Sequence, residues 1–334
     1  MRKVVFTSTA WGELYLKNYF DYILPNHLAC LKKIEDADYE YCFYTSTADF
    51  DKVNNILGGI SKFKVLSRNI GGRYDQQVVH SEALRTAGVE GTDASILQAD
   101  SLYPINMLYN LLNLANSTGK KVFFAPAYRV TYNIKSYLKD CDYSAGSLVK
   151  LSLRHLHPRF IRHCMDDDIY TNYIVTTKGY IPSQFYWKFK DSGFIMRATQ
   201  MHPIYFTRIP VVRSDVALDH GLYLSEQFSK DDYYVITDSD VAMIIDVDTT
   251  IPEPLPPIGT IVQIDSGNQI HPKPGTNLTK AEIKEWAIKW ALKHMHENLK
   301  NNLYIHGDSL NEEWESLKEK VASFMIETYG DLLG

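Results

Sequence analysis

Four groups of acidic and histidine residues fall where predicted strands end: Gln98-Ala-Asp100, His202, Asp219-His220 and Asp238-Ser-Asp240. In extended backbone, residues i and i+2 project to the same side. Gln98 and Asp100 therefore share a side, and so do Asp238 and Asp240, the second pair with two carboxylates. A divalent cation that holds a diphosphate needs hard oxygen ligands and leaves positions for phosphate and water. One short carboxylate motif and one later side chain suffice. Asp100 is the leading metal or nucleotide contact; alternatively it caps the helix after Pro104. His202, in an extended context before Pro203, is a later ligand or a structural histidine. Imidazole with carboxylate suits manganese better than magnesium. Asp219-His220 offers a general base, a ligand or only a turn, and Asp166-Asp167-Asp168 reads as a solvated turn or helix end. Arg73, in the glycine-marked stretch 69–74, and Arg154, on an apolar helix where a buried partner is expected, are the cations to set near a diphosphate, because a guanidinium recognises phosphate bidentately. Each serves equally in an ordinary salt bridge.

The elements that must carry these groups follow from pattern. Lys3–Ser8 is a buried strand. It breaks at Thr7-Ser-Thr-Ala10-Trp11-Gly12, where small and hydroxylic residues let a ligand approach the backbone, and Trp11 either stacks on a base or packs under the first helix. Glu13–Ile34 has helical spacing interrupted by Pro25, which predicts a kink or two short helices. Tyr39–Thr45 is the second strand and Phe63–Leu66 the third. Asp75–Ala87 is a helix carrying Gln77. The run ending in Gln98 is the fourth strand, Ile105–Asn116 its helix, and Lys121–Ala125 the fifth strand. Such alternation over residues 1–127 means a parallel sheet with helices on both faces. Neither a GxGxxG fingerprint nor a P-loop occurs. Further on, Ser147–His157 is a helix stopped by Pro158. Short strands or turns surround Gly179. Phe194–Ala198 is a strand leading into Met201–Phe206, and Tyr233–Thr237 and Ala242–Asp246 are strands. A proline-rich connector, Ile251–Pro257, precedes two amphipathic helices starting at Thr279 and Asn311, which are expected to pack onto the main domain. The expected division is 1–250 and 251–334.

Composition sets the outer bounds. The 334 residues are 45% hydrophobic and 22% charged, ordinary for a globular chain. A net charge of −5 argues against a nucleic-acid reader, which needs a basic face. The 23 tyrosines outnumber the 14 phenylalanines and 5 tryptophans together, and offer apolar bodies with polar tips that suit sugar and base sites as well as cores. The four cysteines form no CxxC pair, which supports neither a zinc knuckle nor a redox motif. No run suits a signal peptide or a membrane span. A cytoplasmic setting is expected, with peripheral placement at the inner face of a membrane as its variant.

Taken in order, Trp11-Gly12 with Tyr15, Leu24-Pro25, Tyr44-Thr45, Gln98-Ala-Asp100 with Pro104, Leu153-Arg-His-Leu-His-Pro158, Met201-His-Pro-Ile204 and Asp238-Ser-Asp240 resemble GT-A-fold glycosyltransferases. More narrowly they resemble bacterial glycosyltransferase-like proteins of surface-polysaccharide or glycan gene clusters, over about residues 4–246. The resemblance implies an α/β fold: a GT-A-like (Rossmann-type), mostly parallel central sheet flanked by helices, with the C-terminal helices packed on it. It implies transfer of a sugar from a nucleotide-sugar donor to a glycan or lipid-linked acceptor, and a homodimer is a further expected assembly. It implies Mn2+ or Mg2+ at Asp100 and His202. Donor contacts would come from Thr7, Ala10, Trp11, Thr45, Arg73, Gln77, Gln98, Asp100, Ser101 and Arg154, and catalytic or acceptor-side roles from Asp219, Asp238 and Asp240. In such enzymes the strand-end motif is usually Asp-x-Asp. Gln98 stands at its first position and coordinates more weakly, so metal dependence stays open, as does retention or inversion. Two alternatives are a catalytically silent carbohydrate-binding or scaffold protein of the same fold, and a sugar nucleotidyltransferase. The latter usually carries a glycine-rich loop after the first strand, where this chain has Thr7–Gly12.

Overall fold

A computed structural model of the chain describes residues 3–161, 164, 166, 184–198, 201–208, 228–250, 262–264, 270–272 and 301–333. Its first strands are β1 (Val4–Thr9), β2 (Tyr39–Ser46), β3 (Phe63–Arg68), β4 (Asp93–Ile96), β5 (Ser101–Leu102), β6 (Val122–Ala125) and β7 (Ala127–Val130). They are followed by β8 (Gln184–Phe189), β9 (Gly193–Ala198), β10 (His202–Phe206), β11 (Tyr233–Val235) and β12 (Ile244–Val247). A two-stranded hairpin, β13 (Val262–Ile264) with β14 (Ile270–Pro272), precedes β15 (Leu303–His306).

Seven strands form the central sheet in the order β3-β2-β1-β4-β10-β6-β11. Every neighbouring pair is parallel except those made by β10, which runs antiparallel to both β4 and β6. This is the mostly parallel α/β class expected from the sequence. The antiparallel member falls on Met201–Phe206, the stretch into which the expected strand Phe194–Ala198 leads. Val4, Phe6, Tyr41, Phe43, Val122 and Phe123 are wholly buried, as a sheet covered on both faces requires. A second sheet, β5-β12-β7, stands next to the carboxylate loop, and a third, β8-β9-β15, carries the C-terminal segment.

Pro25 acts differently from the simple break predicted. α1 (Glu13–Asn18) passes into a five-residue π-helical turn, Tyr19–Ile23, and then into α2 (Leu24–Lys32), with the proline in its first turn. Proline lacks an N–H and its ring crowds the carbonyl four residues back, so a wider turn ahead of it relieves both problems. α3 (Phe50–Leu57) links β2 to β3. α4 (Arg73–Val89) starts at Gly71-Gly72, whose N–H groups both donate to the Asp75 carboxylate, at 2.8 and 3.0 Å. α5 (Met107–Thr118) ends on Gly119 at φ +66, a left-handed position that glycine adopts without strain. α6 covers Ala145–Leu153, capped by Ser144. It stops short of the predicted His157, because Thr131 N–H donates to His155 O at 2.7 Å and His157 N–H to Arg129 O at 2.9 Å, turning 154–157 back onto β7.

The C-terminal helix, Glu312–Leu333, packs on the third sheet. Trp314 is 1% exposed, 4.2 Å from the Phe189 ring, and Phe324 meets Trp187. Asp219-His220, Asp167-Asp168, the strands expected around Gly179, the connector 251–257 and the helix expected from Thr279 lie outside the described residues. No described helix is long and apolar enough to cross a membrane.

Candidate functional site

β4 ends at Ile96, and the chain leaves the central sheet through 97–100 before entering the second sheet as β5. Leu97 N–H still donates to Thr7 O at 2.9 Å, while Asp100 O accepts from Val247 N–H at 2.8 Å. The Gln98–Asp100 loop thus spans the junction of two sheets, at the carboxyl ends of parallel strands where open α/β sheets bind ligands.

Three strands build a charged row beside it. Ser101 on β5 pairs with Asp246 on β12, and Asp246 pairs with Arg129 on β7. Ser101 Oγ donates to Asp246 Oδ1 at 2.8 Å. Asp248, two residues on, lies 2.6 Å from His157 Nε2. Lys135, only 3% exposed, donates to Asn18 Oδ1 at 2.8 Å and covers the Tyr132 ring. Part of Asp100 reaches the surface, yet burial is the largest influence on its carboxyl. Together with the nearby Asp246 charge, and a smaller push from Asp248, burial raises it to about 6 against the opposing pull of Arg129. Burial likewise lowers Lys135 to about 8, although Asp248 and Asp100 pull it up. Asp246, Asp248, Arg129, Lys135 and His157 were not among the predicted site residues. The signal for two of them was present, since Asp246-x-Asp248 has the same spacing as the motifs that were singled out.

β10 delivers His202 to the same edge. Tyr205 pairs with Ser95 and Phe206 with Ala94, the strand is irregular between Pro203 and Tyr205, and its first residue, His202, lies across from Ala125 at the carboxyl end of β6. His202 Nδ1 is buried and has no hydrogen-bond partner among the described residues. Gln98 turns back on its own loop, its Oε1 accepting from Ser101 Oγ at 3.4 Å. The fold therefore places the Gln98–Ser101 stretch after β4 and His202 beside the end of β6, both on the carboxyl-terminal side of the central sheet's parallel strands.

The residues expected around the nucleoside divide between two faces. Thr7 stands beside Cys42, on the side of the sheet shared with Thr9, whereas Thr45 is three residues past Cys42 and points the other way. The hydroxyls of Thr7, Thr9 and Thr45 are all buried with no partner among the described residues. Ala10 is buried, its N–H bonded to Tyr44 O. Trp11 packs on the cluster of Cys42, Tyr44 and Ile70 and stacks on half-exposed Tyr15 of α1, with ring centroids 6.4 Å apart, as the packing reading expects. Arg73 is the first residue of α4, and Gln77 is half-buried one turn later. Arg154 departs from expectation: it is exposed at the C-terminal end of α6, not set on the helix's buried side. The turn at 154–157 ends the helix one residue before it.

A second constellation joins the other two predicted carboxylates. Asp238 Oδ1 accepts from His306 Nε2 at 2.9 Å and from Asp240 N–H at 2.8 Å, and His306 Nδ1 donates to Asp308 O at 2.7 Å. Buried Ser239 ties the loop to β15, its N–H donating to Tyr304 O and its Oγ accepting from His306 N–H. Burial is the largest single influence on both members of the pair, but the mutual hydrogen bond and charges outweigh it: Asp238 is lowered and His306 raised. The ligand-type atoms of Asp238, Asp240 and His306 lie within 4.8 Å of one another, a spacing that can hold a cation. No sequence signal pointed to His306.

No protein-family model and no curated protein matches the chain. Several solved structures align with part of it. A 4-diphosphocytidyl-2C-methyl-D-erythritol synthase is 18% identical over 38% of this chain and 60% of its own, with a TM-score of 0.29. The S. aureus TarS fragment 1–349 in complex with UDP-GlcNAc is 15% identical over 39% of this chain and 35% of its own, with a TM-score of 0.28. A Bacillus anthracis structure with sucrose, described as a glucose-1-phosphate thymidylyltransferase, is 13% identical over 38% of this chain and 55% of its own, with a TM-score of 0.27. The chain thus spans less than two thirds of each.

Proposed function

We propose that this chain is a glycosyltransferase that takes a sugar from a nucleotide-sugar donor and passes it to a glycan or lipid-linked acceptor. One observation carries the reading: Asp100, a carboxyl raised first by burial and then by the nearby Asp246 charge, lies on the same side of the sheet as His202, whose buried Nδ1 has no partner among the described residues. A local excess of negative charge and an unused imidazole nitrogen fit a divalent cation. Asp100 and His202 would hold Mn2+ or Mg2+, which when bound supplies charge to the departing diphosphate. Thr7, Thr9 and Trp11 would bind the nucleoside, with Arg73 and Gln77 at the start of α4. Ser101 orients Asp246, and Arg129 with Lys135 keeps the carboxylate row from holding an uncompensated charge. Asp238, kept ionised by His306, would take the acceptor's proton. Residues 1–250 would form the transferase unit, with 251–334 as an addition that brings in His306.

Asp238, Asp240 and His306 give a second candidate cation position, favoured by their mutual distance. The two positions are separable. Thermal stability is to be measured against UDP-, GDP-, CMP- and dTDP-sugars with and without Mn2+, followed by donor hydrolysis. We expect one nucleotide to stabilise the protein in a Mn2+-dependent way, with Asp100→Asn abolishing the effect and His306→Asn leaving it. The reverse pattern moves the cation to the second group. Stabilisation by free glycan alone rejects the transferase in favour of a carbohydrate-binding protein, and pyrophosphate release from a nucleoside triphosphate with a sugar phosphate identifies a nucleotidyltransferase.

A further inference from the structure

Beneath the Gln98–Asp100 loop lies a set of polar side chains cut off from solvent. Ser8, Asn26, His27 and Tyr103 are all 0% exposed. Each bonds to the backbone of the stretch Leu97–Tyr103. Ser8 Oγ donates to Leu97 O. Gln98 N–H donates to the Tyr103 hydroxyl at 2.7 Å. His27 Nε2 lies 3.2 Å from Ser101 O, a carbonyl that only accepts, so this nitrogen carries a proton, and Nδ1 lies 2.9 Å from the Tyr41 hydroxyl. Asn26 brackets Tyr103, accepting from its N–H at 2.9 Å and donating to its O at 2.8 Å.

A chain leaving one sheet for another gives up ladder bonds, and its buried N–H and C=O groups need other partners. Here four side chains from β1, α2 and the loop itself supply five. Burying an asparagine, a histidine and a serine is unfavourable unless each is satisfied, and apolar residues would fill the same space at no such cost. The polar set is therefore specific to the path of this loop. It fixes the backbone on both sides of Asp100, at Gln98 and at Ser101, while the Asp100 carboxyl takes no part in it.

We propose that His27 and Tyr103 are positioning residues that hold Gln98–Asp100 in its ligand-ready path by anchoring the backbone around Asp100. The inference rests on the reading of this loop as the donor diphosphate site, and it adds the means by which the loop is pre-organised. Fixing a loop before binding removes an ordering cost that would otherwise weaken affinity.

The test uses the whole 334-residue chain and three variants. Tyr103→Phe removes one oxygen and leaves Gln98 N–H without its acceptor. His27→Leu removes the donor to Ser101 O, and His27→Gln retains one donor and one acceptor. Amide hydrogen exchange is measured without ligand, and affinity for the stabilising nucleotide with Mn2+ by calorimetry. We expect Gln98 exchange at least tenfold faster in Tyr103→Phe with the strands of the central sheet unchanged, a tenfold or greater loss of affinity in Tyr103→Phe and His27→Leu, and recovery of most of that affinity in His27→Gln. Unchanged exchange at Gln98 in Tyr103→Phe overturns the proposal even if no nucleotide binds the wild type, a result that would separately remove the donor-site reading. Equal losses in His27→Gln and His27→Leu, or wild-type affinity in Tyr103→Phe, overturn it as well. Should His27→Leu fail to fold, Tyr103→Phe alone decides.

Discussion

Two histidines in this molecule are buried to a similar degree and titrate in opposite directions. His27 has a hydroxyl and a carbonyl for neighbours, and burial lowers it from 6.5 to about 4. His306 faces Asp238, and the charge pair raises it. Their consequences for stability have opposite signs. Below pH 6.5 the unfolded chain takes up a proton at residue 27 that the folded protein refuses, so stability falls with pH. The shift corresponds to roughly 3 kcal/mol by pH 4. Chemical denaturation of wild type and His27→Gln between pH 7 and 4 should show a steeper acid loss in the wild type. For the pair, Asp238 contributes above its unfolded value of 3.8 and loses this as pH falls through its lower folded value. His306 contributes below 6.5 and loses this as pH rises through its higher folded value. The stability difference between wild type and His306→Asn should therefore be largest between about pH 4 and 6.5 and shrink on either side. A difference that grows steadily toward alkaline pH would contradict this pairing.

At the scale of elements, the contact between β9 and β15 is what brings His306 to Asp238. Gly193 pairs with His306, and a Cβ at 193 would stand 2.0 Å from Ile305 O. Backbone that close cannot yield without separating the strands. Gly193→Ala should destabilise the protein by more than about 2 kcal/mol in a denaturant titration. It should also abolish the Asp238–His306 hydrogen bond, visible as a His306 ring that titrates at a more ordinary pH by NMR. The elements differ in how plainly the sequence announces them. β1, β2, β4 and β6 are apolar runs between turn residues, and periodicity finds such strands within a residue or two. β5 and β7 are two and four residues long and owe their existence to partners distant in the chain, which no local pattern encodes, whereas β12 falls on the apolar run Ala242–Asp246. Asp100 was legible because it follows a strong strand. Asp246 also ends a strand legible in the sequence, but its place beside Ser101 and Arg129 follows from a sheet that forms only on folding. His306 sits in a four-residue strand after a long interval, and local sequence says nothing about which loop it will meet.

For the whole molecule, the C-terminal helix acts as a clamp on the third sheet through one side chain. Trp314 is 1% exposed and lies against Phe189, Tyr304 and His306. Trp314→Ala should cost about 3–5 kcal/mol. Because the same ring backs His306, the histidine should lose its raised titration in parallel. The neighbouring ion pair Lys190–Glu313 is far less important. Both side chains are more than half exposed, so Lys190→Ala should change stability by under about 1 kcal/mol, with the change vanishing in high salt.

The antiparallel strand β10 has a consequence for how the molecule comes to be made. The seven-stranded sheet cannot close in the order of synthesis: β4 and β6 are complete by residue 125, yet the strand that belongs between them ends at residue 206. Until then the inner borders of both expose unmatched backbone groups, the arrangement that invites pairing with other chains. A nascent chain halted near residue 130 should be sticky and protease-sensitive, while one extended past 206 should acquire resistance in a single step. His202 arrives on that strand, so completion of the fold and completion of the candidate site would be the same event.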